Sequence, residues 1–277
     1  MKTAFLKVAG ASLAVIALVA ACDQSKPADT AATAPAPAAP ATPPPAPAAP
    51  APDYAALLKA ADRPAADAEK DAARKPAEVL AFSKIMPGET VFEMEAGAGW
   101  YTELLSHAVG PNGHVTMQSP DFGTFYKKDV DARLKDNRLA NVKVSTSNFD
   151  KLDAGDGTVD VVTWFQGPHE MWCMKDCGGK SLGDPAKSFA EISRILKPGG
   201  YLVIMDHAAK QGEPTSTGDK LHRIDKMQVM ALATGANFAL DEESSLLAQP
   251  ADDHTKNIFE KDIRGKTDQF LLRYKKP

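Results

Sequence analysis

The amino-acid sequence predicts an α/β fold: a doubly wound, mostly parallel sheet with a late antiparallel strand, preceded by helices. Three observations carry this. Thr90 to Pro120 reads as strand, glycine loop, helix and strand, with Val91–Met94 and Val115–Met117 as strands, Gly97 and Gly99 in the loop, and Trp100–Val109 as the helix. Val159–Phe165 is a nearly continuous apolar run, as expected of a central strand buried on both faces. Lys197-Pro198-Gly199-Gly200 stops a helical segment just before another apolar run, Tyr201–Met205. Strands alternating with helices put the sheet in the parallel class.

From the N-terminus, Lys2 and Lys7 precede an apolar run, Val8–Ala21, that is too short to span a membrane comfortably. It ends in Val19-Ala20-Ala21-Cys22, which resembles the lipobox of bacterial lipoproteins, where Cys22 is acylated and becomes the mature N-terminus. Residues 1–22 are therefore expected to be a lipoprotein signal peptide, against the alternatives of an ordinary secretory signal or an uncleaved anchor. Residues 23–52 are almost entirely Ala, Pro and Thr and hold nearly half of the chain's 21 prolines. Such a stretch lacks the apolar groups that offset ordering entropy, so it reads as an open tether. Its upper reach is roughly 90 Å at about 3.1 Å per residue. The chain is thus expected to be exported and lipid-anchored to a membrane, facing the periplasm.

The formal net charge is −4, and loss of Lys2 and Lys7 with the leader makes it more negative. That balance argues against a nucleic-acid partner, which would favour a basic face. Beyond Cys22 only Cys173 and Cys177 remain. A zinc site wants four ligands and no second pair exists, so a local disulfide in an oxidising compartment is the favoured reading.

Residues 53–277 suit one domain with a substantial core. Its first part is Ala-rich and reads as two helices broken near Pro76, packed over the front of the sheet. Pro87-Gly88 marks a turn before the first strand. After Met117, Phe125–Leu134 has helical spacing, Val142–Ser145 is a short strand, and Phe189–Leu196 is helical. Asp225-x-x-Gln228 fits a capping box for a helix running to Thr234, with Gly235 at its end. Phe238–Leu247 and Gln269–Tyr274 supply two last strands. An open sheet of this kind binds ligands outside the carboxyl ends of its strands, so the Gly97–Gly99 loop is a candidate ligand site.

The acidic end and glycine loop of the first strand, the KPGG turn and the closing strand pair resemble the class I S-adenosylmethionine-dependent methyltransferases. The segments GAGWYTELLS, RILKPGGYLVIMDH, HRID and DDHTKNIFEKDIRGKTDQFLLRYKKP resemble, more specifically, a bacterial group of exported predicted methyltransferases. The resemblance implies a Rossmann-like methyltransferase sheet and S-adenosylmethionine as cofactor. It places Glu93 at the acidic position closing the first strand and matches Gly97 and Gly99 to the later glycines of an E-x-G-x-G-x-G loop. Glu95 replaces the first glycine, where it can meet the cofactor's amino group or sulfonium, or block it. The acidic residue that grips the ribose hydroxyls after the second strand is missing; Gln118 and Ser119 stand there, and Asp121 comes slightly late. Asn148, Phe149 and Asp150 fall near the expected adenine position. Trp100 and Tyr101 open the first helix beside the loop and are counted with the cofactor-binding residues, though packing against the preceding helices is their commoner use.

Two histidines complete the expected site. His169 follows the fourth strand and His207 the fifth, so both emerge at the edge that carries Gly97 and Gly99, where either can accept a proton. Asp206 can orient His207. His222 and Arg223 can bind an anionic group or brace a loop, and His254 is read as structural, while His107 and His114 lie away from that edge. His169, His207, His222 and Asp206 or Asp253 are of types that suit zinc or iron, but no local spacing gathers them and no metal is assigned. The expected function is a membrane-tethered methyltransferase acting on a small molecule or envelope component. A ligand-binding lipoprotein that kept the fold is the alternative, with metal-dependent hydrolysis a distant third.

Overall fold

A computed structural model describes residues 50–120, 125–173, 179 and 181–277. The expected signal peptide with Cys22, most of the tether, Asp121 and Cys177 lie outside the described residues. The Ala-rich segment forms short pieces: α1 (Tyr54–Leu57), a 3-10 turn over Ala65–Lys70, α2 (Asp71–Arg74) and α3 (Pro76–Ser83). Pro76 stands at the first position of α3, where its missing N–H costs nothing.

There follow β1 (Thr90–Met94), α4 (Trp100–Val109), β2 (His114–Gln118), α5 (Lys127–Arg133), β3 (Val142–Ser145) and β4 (Val159–Phe165). A 3-10 turn over Pro168–Trp172 leads toward α6 (Pro185–Ile195) and β5 (Leu196–His207). The chain ends with α7 (Thr217–Leu221), α8 (Lys226–Gly235), β6 (Ala239–Ser244) and β7 (Gln269–Lys275).

The strands form one seven-stranded sheet in the order β3-β2-β1-β4-β5-β7-β6. β1 to β5 pair in parallel, and β7 is antiparallel to both β5 and β6. The expected fold class is therefore the observed one. Strand alternation sends Phe92 and Met94 into one apolar layer and Val91 into the other. The first layer is closed by Phe189, Ile192 and Ile195 of α6 and by Val229 and Ala233 of α8. The second is closed by Leu80 of α3 and by Leu104, Leu105 and Ala108 of α4. The order reverses between β1 and β4, which opens a crevice at their carboxyl ends.

Two local expectations need correction. The KPGG turn ends α6 yet continues into β5 as a bulge: β4 pairs Val159 with Leu196 and then Val161 with Tyr201. Gly200 is needed there because a β-carbon would lie 2.8 Å from the Asp160 carbonyl oxygen. Asp225 caps α8 by accepting from Met227 N–H at 2.9 Å, but Gln228 does not reach back; its amide donates to the Glu213 carbonyl.

Candidate functional site

At the carboxyl ends of β1, β4 and β5 lies a crevice of about 750 Å³, within the range of small-ligand pockets. Glu93, Glu95, Gly97, Trp100, Tyr101, His169 and His207 all line it. The glycine loop and the two histidines therefore share one cavity. A second cavity of about 630 Å³ is bounded by His107, Arg138, Asn141 and His114, the last at the amino end of β2. It lies away from the strand ends that carry the loop.

The turn after β1 is built on left-handed backbone. Gly97 and Gly99 have φ of 55° and 78°, and Glu95 adopts 51° where a glycine would be at ease. A β-carbon on Gly97 would sit 3.6 Å from the Tyr126 ring, which also lines the crevice. Gly99 faces elsewhere: a β-carbon there would meet the Arg133 side chain at 2.8 Å. Its place in the loop is set by close packing against Arg133 of α5 and Met117 of β2, and it does not line the crevice.

Glu93 is buried and accepts a hydrogen bond from the Thr102 hydroxyl. Burial pushes its carboxyl from 4.5 up to about 8, against the pull of Thr102, Arg133 and Arg74. The Glu95 carboxylate accepts from the Ser119 hydroxyl at 3.1 Å, and its N–H donates to Gln118 Oε1 at 3.2 Å. A carboxylate thus stands at the end of β2, although β2 itself carries none.

Besides Gly99, three expected cofactor residues lie off the crevice wall. Ser119 is buried behind Glu95 and acts through it. Asn148 is exposed in the turn after β3. Phe149 is fully buried and packs 5.0 Å from the Trp164 ring, so its bulk serves the core.

The Pro168–Trp172 turn positions His169 through Asp206. One Asp206 oxygen accepts the His169 backbone N–H at 2.8 Å, and the other lies 2.8 Å from His169 Nδ1. His169 Nε2 is 3.2 Å from Glu170 Oε1, and His222 Nδ1 is 3.4 Å from the same oxygen. Burial alone would lower the His169 pKa, but the Asp206 charge and the bonds to Asp206 and Glu170 raise it well above its ordinary value. The raised pKa favours the protonated ring and so runs against the expected role of His169 as a base. His207 is neutral: burial lowers its pKa strongly, reinforced by the charges of His169 and Arg223. It is a weak base, held by Thr267 Oγ1 at 2.8 Å from its Nδ1. Asp206 serves His169 rather than the neighbouring His207 ring.

Arg223 braces the loop. It is fully buried, pairs with both Asp252 carboxylate oxygens, and donates to the Ala208 and Lys256 carbonyls. His254 lies 3.1 Å from Asp268 and is likewise structural. Cys173 is buried and disulfide-bonded.

Sequence reasoning missed Glu170 and Arg74. Glu170 follows His169 directly, and only the tertiary approach of His222 marks it out. Arg74 lines the crevice with its guanidinium 4.6 Å from the Trp100 ring centroid, a placement no local pattern announces.

Residues 73–257 match the ubiE/COQ5 methyltransferase family. Among curated relatives, the chain is 28% identical over 128 residues to an arsenite methyltransferase of Halobacterium salinarum, covering 46% of this chain and 29% of that one. It is 28% identical over 131 residues to the ubiquinone/menaquinone biosynthesis C-methyltransferase UbiE of Vibrio parahaemolyticus, covering 47% and 46% respectively. The chain thus spans less than half the length of these relatives. A SAM-dependent methyltransferase from Aquifex aeolicus shares the fold with a TM-score of 0.55 at 22% identity, over 80% of this chain and 98% of that one.

Proposed function

Because this chain belongs to the ubiE/COQ5 methyltransferase family, we propose that it is an S-adenosylmethionine-dependent methyltransferase whose donor occupies the crevice behind β1. The observation that carries this reading is the convergence of Glu93, Glu95, Gly97 and His169 on one cavity at the point where the strand order reverses. The residues present suit the donor. Gly97 leaves space against Tyr126 that any side chain would fill. Glu95, seated against Ser119, supplies a carboxylate near the end of β2, the location at which ribose hydroxyls need an acceptor. Glu93 and the Tyr101 face complete a wall for the polar and apolar parts of a nucleoside ligand.

When bound, S-adenosylmethionine supplies an electrophilic methyl group on a sulfonium. The chain's own contribution is positioning, which can supply much of the acceleration in such a transfer. His169, oriented by Asp206, lines the crevice beside Glu170 and can help hold an anionic or carbonyl oxygen of the acceptor. His207 offers a neutral ring on the same wall. The acceptor is a small molecule or an envelope component, met by a domain tethered through Cys22; the apolar run before that cysteine and the Pro-rich stretch after it support the tether.

Isothermal titration of the purified full chain with S-adenosylmethionine and S-adenosylhomocysteine tests the donor assignment. Saturable binding of one ligand per chain is expected. No heat at millimolar ligand would remove the assignment and favour a fold retained for another ligand.

A further inference from the structure

We infer that His169, Glu170 and His222 form a site for one divalent first-row transition-metal ion beside the crevice. Their donor atoms lie within 4.8 Å of one another, with Glu170 Oε1 3.2 Å from His169 Nε2 and 3.4 Å from His222 Nδ1. Tetrahedral ligands at about 2.0–2.1 Å from an ion stand roughly 3.3 Å apart, so these two separations match edges of such a polyhedron, with the ion displacing the proton that His169 Nε2 otherwise shares with Glu170.

The surroundings are those of a metal-binding histidine. Asp206 holds His169 from behind, through both Nδ1 and the backbone N–H, and so turns Nε2 toward Glu170. A carboxylate on the distal ring nitrogen fixes the ligand's tautomer and orientation. Both imidazoles are buried, and Phe259 meets the His222 ring edge-on with the centroids 4.9 Å apart. His169 and Glu170 line the crevice, leaving the ion's remaining positions toward it. Two imidazoles and one carboxylate favour zinc or iron over magnesium or calcium, which take oxygen ligands.

The other close cluster is Asp62, Glu103 and His107. Glu103 is already neutralised by Arg133 at 2.8 Å and Arg138 at 2.6 Å. An ion there would face two fixed guanidiniums.

Binding of the ion stands apart from the methyltransferase reading; only its use, to hold an acceptor oxygen or sulfur within the crevice, rests on that reading. The test is titration of the chelator-stripped full chain with Zn²⁺ and, separately, Mg²⁺, without any methyl donor. One Zn²⁺ per chain at micromolar or tighter affinity is expected, with no Mg²⁺ binding at equal concentration. Glu170→Gln and His222→Ala should each weaken Zn²⁺ binding by about 100-fold, the upper end of what supporting residues alone cost, whereas His107→Ala should leave it unchanged. Co²⁺ in the wild-type chain should give visible absorption of a low-coordinate nitrogen–oxygen site, a readout that holds even if a variant fails to fold. Absence of stoichiometric Zn²⁺ binding by the wild-type chain, or its loss in His107→Ala but not His222→Ala, would overturn the site.

Discussion

Glu93 shows how one buried side chain ties the site to stability. Burial raises its carboxyl from 4.5 to about 8. Between those values the folded chain retains a proton that the unfolded chain has released. The stabilisation is complete below the unfolded value and is lost as pH rises toward about 8. Wild-type stability relative to Glu93→Gln should therefore fall between pH 5 and pH 8 in denaturant unfolding; a flat or rising difference would show that the carboxyl is ionised throughout. Glu95 and His169 mark what was legible at this scale. That Glu95 stands in a glycine's place is plain in the sequence, but its seat against Ser119 depends on β2 lying beside β1. His169 was found from its place after β4. Its raised pKa was not, because that depends on Asp206, which comes 37 positions later in the chain.

The elements were legible wherever apolar pattern alone decides them. β4 has the expected bounds because a central strand is apolar throughout, and the KPGG segment was misjudged because a turn sequence can also be a bulge. What the pattern cannot show is close approach between elements. α7 packs so near the 169–170 turn that a β-carbon on Gly218 would fall 2.6 Å from the His169 carbonyl oxygen. This contact brings His222, which ends α7 in a left-handed conformation with φ of 51°, to Glu170. Gly218→Ala should destabilise the fold by about 1–3 kcal/mol through overpacking. Gly235→Ala in α8 meets nothing within 4 Å and should stabilise by about 0.4–1 kcal/mol. Thermal unfolding of the two variants checks the contrast, and equal shifts would contradict the packing of α7.

For the whole molecule, the segment ahead of β1 closes the front of the crevice. Asp67 and Glu103 bind Arg133 from two sides, and Tyr101 donates to the Arg74 carbonyl at 3.4 Å. This was foreseen only as helices over the sheet, since ion pairs spanning 66 residues have no local signature. Among the described residues no helix is long and apolar enough to cross a membrane, and the proposed tether through Cys22 lies outside them. Cys22→Ser should move the expressed chain from the membrane fraction to the soluble fraction; unchanged sedimentation with membranes would remove the lipid tether.

The central claim is that the glycine loop behind β1 is where the methyl donor binds. Calorimetric titration of Gly97→Val with S-adenosylhomocysteine, beside the wild-type chain, tests it most directly. A valine at Gly97 would press its branch toward the Tyr126 ring, 3.6 Å from the β-carbon, and would hold a β-branched residue at φ of 55°, which L side chains rarely adopt. Affinity should fall by at least about 100-fold, roughly 2.7 kcal/mol, with the far-ultraviolet circular dichroism unchanged. Wild-type affinity in that variant would place the donor somewhere other than this crevice.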